Sequence, residues 1–178
     1  MYTTIANVNN ILENIDDKRG ILQPAVYQII KGEALGLRAF LHFELLRMYG
    51  WGDLAAHPEY LEKKCIPYVV TYDKVLNEQY TEAKVLEFIH RDLQAAADLL
   101  EKFDPWSTSR KDDDYDLVDE EGFFKNRMTR FNYWAVQATM ARVYMWEGRK
   151  DKALPIAQNF IKNQRKRKKI KNCFFEMR

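Results

Sequence analysis

At 178 residues, 47 % apolar and 13 % aromatic, the chain is long enough to bury about two-thirds of its unfolded surface and too apolar to remain disordered. No run of about 18 apolar residues exists, which excludes a transmembrane helix, and Met1 to Gly20 lacks the basic start and apolar block of a signal peptide. The net charge of +2 conceals an acidic body (20 basic against 25 acidic residues) and a basic end from Lys162 to Arg178 (eight against one); the acidic body argues against nucleic acid as a ligand.

Ile5, Val8, Ile11, Leu12 and Ile15 share one helical face, predicting a helix over Thr3 to Ile15, and Asp16 to Gly20 is a polar break. Pro24 suits the first turn of a second helix reaching Tyr49. Its apolar stripe reads Tyr27, Ile30, Ala34, Leu37, Leu41, Leu45 and Met48, with Arg38, Glu44 and Arg47 off the stripe and Glu44 placed to pair with Arg47. Gly50 is expected to stop it in the left-handed conformation. Residues 51–80, with Pro58 and Pro67, have no sustained period, and Ile66 to Val70 is the one short strand candidate. A loop this long is usually functional or locally structured.

Thr81 is a good cap for a third helix to Phe103, with Val85, Ile89, Leu93, Ala96 and Leu100 as its stripe and Asp104-Pro105 as its end. Residues 105–126 are acidic and read as an exposed loop, whose run of carboxylates fails the calcium-loop pattern at Leu117 and Phe123. Thr129 is expected to cap a helix reaching Glu147, with Gly148 as its stop, and Asp151 to cap a last helix to Asn163. Residues 164–178 read as a disordered basic tail, either a nucleic-acid or anionic-surface arm or, more simply and in keeping with the acidic body, an unselected read-through end.

The last two helices carry the cadence of a tetratricopeptide unit: Ala141, Tyr144 at +3, Gly148 at +7, Ala153 at +12 and Ala157 at +16. Small residues at 141 and 153 let antiparallel helices approach closely, and one such unit must stack on another helical pair, for which the second and third helices are available. The fold class is all-α: antiparallel helical hairpins of tetratricopeptide-like type with two long loops, residues 2–163 forming the helical region.

The letters go further than the period. Gly32-Glu33-Ala34, then Leu37-Arg38-Ala39-Phe40, then Phe43-x-Leu45-x-x-x-Tyr49-Gly50, resembles the helix that marks SusD/RagB-type nutrient-binding proteins. Tyr2, Ile5, Val8-Asn9 and Ile11-Leu12-Glu13 are similar to the family's upstream segment. Phe88-Ile89-x-x-Asp92-Leu93-x-x-Ala96 resembles its next helix. Arg127-Met128-Thr129-Arg130, Ala138, Ala141-Arg142-Val143-Tyr144 and Gly148 are similar to the block that follows. The four blocks stand in the family's order.

The resemblance implies a lipoprotein of the bacterial outer membrane, exposed on the cell surface, that captures oligosaccharide and sits as a lid on a TonB-dependent, SusC-like transporter. Such proteins bind and hand over without cleaving, which implies no enzyme activity and no cofactor. The family begins with a signal peptide and a lipidated cysteine and continues well beyond the last hairpin, so this chain is expected to be a fragment. The alternative is a tetratricopeptide-type protein–protein interaction scaffold with no sugar role.

Sugars are gripped by aromatic faces plus planar polar groups, because a pyranose has one apolar face and a rim of hydroxyls. The stretch after the second helix supplies Trp51, Asp53, His57, Tyr60, Tyr68 and Tyr72, and Trp106 opens the second loop. The expected ligand-binding residues are Trp51, Asp53, Tyr60 and Trp106, against the simpler reading that these aromatics cover the edge of the core. His42, His57 and His90 lie on separate elements and form no metal pair, and Cys65 and Cys173 have no metal-like spacing. No serine stands in a nucleophile elbow and no glycine-rich phosphate loop exists, so no catalytic residue and no metal ligand is expected.

Overall fold

The computed structural model describes residues 1–73, 75–107 and 127–176, with the side chains of residue 128 and residues 164–176 excepted. Its helices are α1 (Tyr2–Asn14), α2 (Pro24–Tyr49), α3 (Glu82–Phe103), α4 (Tyr133–Trp146) and α5 (Lys150–Glu176). Among the described residues no strand forms; the nearest approach is one antiparallel bridge between Lys64 and Thr81. No helix there is long and apolar enough to cross a membrane. Residues 108–126, most of the acidic loop, lie outside the described residues.

The helices pack in sequence order, each antiparallel to the last from α2 onward. The end of α2 at Gly50 meets Glu82 at the start of α3, while Gly32 lies against Leu100 near α3's end. His90 on α3 meets Glu147 just past α4, and α4 folds back on α5. This is the stacked-hairpin arrangement expected. Gly148 closes the α4–α5 turn at φ +75°, where a side chain would be strained and a Cβ would stand 2.6 Å from that of Ala55.

α2 is the central helix, contacting α1, α3 and α4. The single apolar stripe is therefore too narrow a description. Met48, placed on the stripe, is 53 % exposed, whereas Arg38, placed off it, is buried with His42 and Phe43. A helix wrapped on several sides buries more than one face, and polar residues on the extra face must find partners inside. Arg38 donates from Nε to Asp92 Oδ2 at 2.6 Å and from Nη1 to Asn9 Oδ1, joining α2 to α3 and α1.

Two caps differ in their details. Thr81 caps α3 as expected, its Oγ1 accepting the Lys84 N–H. Thr129 does not cap α4; it belongs to a 3₁₀ turn (Arg127–Thr129), and Asn132 is the cap, accepting the Ala135 N–H and donating to Arg127 O. α5 begins at Lys150, so Asp151 lies in its first turn rather than before it. The backbone of α5 also stays helical to Glu176, past the end expected at Asn163. No glycine or proline follows Pro155 there, and Lys, Arg and Gln are good helix formers.

Candidate functional site

The site region begins where α2 stops. Gly50 is extended, at φ −93° and ψ −166°, not left-handed; its N–H still donates to Leu46 O at 2.7 Å. Glycine is required by proximity: a Cβ would lie 2.6 Å from Leu46 O and 2.7 Å from Glu82 Oε2. The left-handed residue is Asp53, at φ 56°, a conformation aspartate tolerates better than most. Its carbonyl accepts the N–H groups of Ala56 and His57, closing the turn.

Glu82, the first residue of α3, is fully buried and pins this turn. It accepts the Trp51 N–H at 3.1 Å and the Trp146 Nε1–H at 3.2 Å. Burial raises its pKa, partly offset by those two donors.

A 3₁₀ turn (Pro58–Glu62) then sets the side chains. Tyr60 N–H donates to His57 O and Lys63 N–H to Tyr60 O, the three-residue step of that helix. With three residues per turn, His57, Tyr60 and Lys63 fall on one edge. The His57 and Tyr60 rings stack at 4.8 Å with planes 17° apart. Trp51 meets Tyr60 at 5.3 Å, its indole N–H donating to Lys64 O. Lys63 Nζ stands 4.2 Å from both the Trp51 and the Tyr60 ring centroids. Trp51 is 38 % exposed, and His57 and Asp53 are exposed beside it. The result is an open aromatic platform carrying a cation, an imidazole and carboxylates.

Among the expected ligand residues, Trp51, Asp53 and Tyr60 share this neighbourhood. Trp106 does not. It follows Asp104 at the far end of α3, whose 22 residues span roughly 33 Å. There its N–H donates to Asp104 Oδ1 and its carbonyl accepts the Trp134 Nε1–H. Tyr68 is buried, donating to Asp92 Oδ2 at 2.7 Å, while Tyr72 is exposed farther along the loop. Lys63 escaped sequence reasoning, although its signal, the His57-x-x-Tyr60-x-x-Lys63 spacing after Pro58, is present.

The segment leading away from the platform is held by a few backbone hydrogen bonds and by side chains rather than by a sheet. Cys65 N–H donates to Tyr80 O and Tyr80 N–H to Ile66 O. Asn9 Nδ2 donates to Val69 O and Thr71 O, and Tyr2 Oη to Pro67 O. The strand candidate Ile66 to Val70 is thus a strap bound to α1, α2 and α3. At the other end of α3, fully buried Arg127 donates from Nη1 to Glu33 Oε2 at 2.5 Å and from Nη2 to Asp104 Oδ2 at 3.0 Å. Asp104 Oδ2 also accepts the Tyr133 N–H, so one ion cluster ties α2, α3 and α4 together.

Comparison with known proteins matches residues 1–107 to the SusD-like family model described as starch-binding and associating with the outer membrane. A SusD superfamily protein from Bacteroides thetaiotaomicron VPI-5482 superposes with a TM-score of 0.67 at 25 % identity, over 91 % of this chain and 30 % of that one. A SusD-like carbohydrate binding protein from Bacteroides vulgatus ATCC 8482 gives 0.68 at 20 %, over 91 % and 30 %. A laminarin binding SusD-like protein gives 0.58 at 19 %, over 88 % and 27 %. The chain therefore spans about 30 % of the length of these structures. No curated protein matches in sequence.

Proposed function

Because this chain belongs to the SusD-like family of starch-binding proteins that associate with the outer membrane, we propose that it is a glycan-binding component of a TonB-dependent uptake system, corresponding to part of a longer surface lipoprotein. It captures oligosaccharide for a SusC-like transporter and performs no chemistry on it. The observation that carries this reading is the exposed Trp51–Tyr60–His57 platform, which begins in the Gly50-Trp51-Gly52 turn (the Gly-Trp-Gly turn) at the end of α2, inside the matched region. Stacking on a pyranose face uses the ring surface, and the hydroxyl rim is met by Lys63, His57 and the Asp53 carboxylate. The second expected position, Trp106, serves the core at the other end of α3 and is not part of the proposed contact.

Affinity electrophoresis through gels containing soluble starch or laminarin tests the proposal. Retardation by at least one polysaccharide, lost in Trp51→Ala while circular dichroism is unchanged, is the expected result. Free migration of the unmutated chain through every glycan would remove the sugar-binding reading.

A further inference from the structure

Glu82 holds the platform from beneath with both its backbone and its side chain. Its N–H donates to Lys63 O at 2.9 Å, and its Oε2 accepts the Trp51 N–H at 3.1 Å. Oε1 accepts the Trp146 Nε1–H at 3.2 Å, and the Cys65 thiol is a further hydrogen-bonding neighbour. Trp146 is thereby brought under the turn from α4, where a Cβ on Gly52 would stand 3.3 Å from its ring. The ring and the cation of the platform, Trp51 and Lys63, are both tied to one residue with no exposed surface.

A carboxylate is a costly choice for that place. Buried charge is expensive without a counter-ion, and no cation acts on Glu82 among the described residues. Donors and the N-terminal end of α3, whose first residue it is, make the charge tolerable. The Trp51 N–H, the Trp146 indole and the Cys65 thiol all donate, so the site calls for a group that only accepts. An amide would turn its NH2 on one of these donors, and a protonated acid its O–H. On the α2 side the carboxylate lies against Gly50, and α4 presents an indole that does not titrate. The thiol of Cys65 is pushed up to about 12 by burial and stays neutral.

We propose that Glu82, as a carboxylate, is the positioning residue of the platform, so that glycan affinity follows the charge of a group the sugar cannot reach. The proposal rests on the sugar-binding reading given above. Neutralising Glu82 frees the Trp51 N–H or the Trp146 indole, and the ring that stacks on the sugar loses its fixed place beside Lys63. Acid does this without unfolding the chain through this group. Burial raises the Glu82 pKa, so the fold holds the neutral acid more firmly than the unfolded chain does, and this contribution to stability grows as pH falls through the raised pKa.

Affinity gels containing soluble starch or laminarin, run between about pH 7.5 and 4.5 with circular dichroism alongside, test it. The unmutated protein loses affinity about tenfold or more on acidification, as a preorganised contact becomes a loose one. Glu82→Gln keeps Asp53, His57 and Glu59 on the surface, is about tenfold weaker already at neutral pH and shows no such acid step. Trp146→Phe keeps a ring and removes one donor from the carboxylate, so its acid step moves up by about one pH unit, which a merely structural residue would not do. Acrylamide quenching of Trp51, taken as the difference between the unmutated protein and Trp51→Phe, rises over the same pH range without sugar. An acid step in affinity that survives Glu82→Gln would belong to His57 and would overturn the proposal. So would affinity and Trp51 quenching that stay constant with pH in the unmutated protein. Free migration through both glycans, with the quenching step present, removes the sugar-binding reading and leaves Glu82 as the holder of Trp51.

Discussion

The Nε2 of His42 accepts the backbone N–H of Val69 at 3.0 Å, with the imidazole stacked on Tyr68 at 3.9 Å. Its Nδ1 lies 2.8 Å from Arg38 O, which can only accept, so Nδ1 carries the proton and the ring is neutral. A second proton on Nε2 would face a donor. The neighbouring charges are Arg38 and Asp92, with the Tyr68 and Tyr2 hydroxyls nearby.

Acid should therefore loosen the strap 66–71. Burial, against the opposing hydrogen bond to Arg38 O, pushes the His42 pKa down from 6.5 to about 4. Above pH 6.5 the ring is neutral folded and unfolded, and the pairing is fully present. As pH falls from 6.5 toward 4 the unfolded chain takes up a proton that the fold refuses, and stability drops by up to about 1.4 kcal/mol per pH unit. Between pH 7.5 and 5.0 the loss should be about 2 kcal/mol. Urea midpoints of the parent and His42→Gln at the two pH values isolate this group. Equal losses in both proteins would show that His42 is not responsible.

Arg127 is expected to be the most costly single charge to remove. It is fully buried between Glu33 and Asp104, and its loss strands two carboxylates in the interior. Arg127→Met should cost about 3–5 kcal/mol in chemical denaturation. Arg127→Lys should recover only part of this, because an ammonium cannot span two carboxylates as the guanidinium fork does. Full recovery by lysine would mean that charge alone, without geometry, holds α2, α3 and α4 together.

Gly50 and Gly20 make a matched pair of substitutions. Alanine at Gly50 must displace Leu46 O or Glu82 Oε2, whereas a Cβ at Gly20 meets nothing within 4 Å. Gly50→Ala should lower stability by about 1–3 kcal/mol and shift Trp51 fluorescence, as Glu82 gives up the Trp51 N–H. Gly20→Ala should be neutral or stabilising by a few tenths of a kcal/mol, about the size of an unfolded-state entropy effect. Thermal melts of both variants decide, and a Gly50→Ala protein as stable as its parent would contradict the close approach.

The sequence made helix identity legible wherever one signal dominated: Pro24 opened α2, Thr81 capped α3, and Gly148 turned α4 onto α5. Arg38 stands off the expected stripe yet is buried, because a period assigns one buried face, and only the assembled helices show that α2 has several. Arg127 carried no local signal of burial; its partners lie 94 and 23 residues away. Asp53 takes the left-handed position expected of Gly50, and glycine is required at 50 by the close approach of Glu82, distant in sequence, which leaves no room for a Cβ. The aromatic letters of the candidate site were readable, but not that α3 would carry Trp106 to the opposite end of the molecule.

That separation gives the proposed sugar contact an internal control. Trp51→Ala removes a ring that meets both Tyr60 and Lys63, and Tyr60→Ala removes the ring shared by His57, Trp51 and Lys63. Each should lower affinity for a retained glycan about tenfold, equivalent to about 1.4 kcal/mol. Trp106→Ala changes packing near Trp134 and can lower the melting temperature, yet it should leave glycan affinity within about twofold, a difference under about 0.5 kcal/mol. Isothermal titration of the three variants with the same oligosaccharide distinguishes the cases. A Trp106→Ala defect as large as that of Trp51→Ala, in a protein with unchanged circular dichroism, would place the sugar at the wrong end of α3 and move the site away from the Gly-Trp-Gly turn.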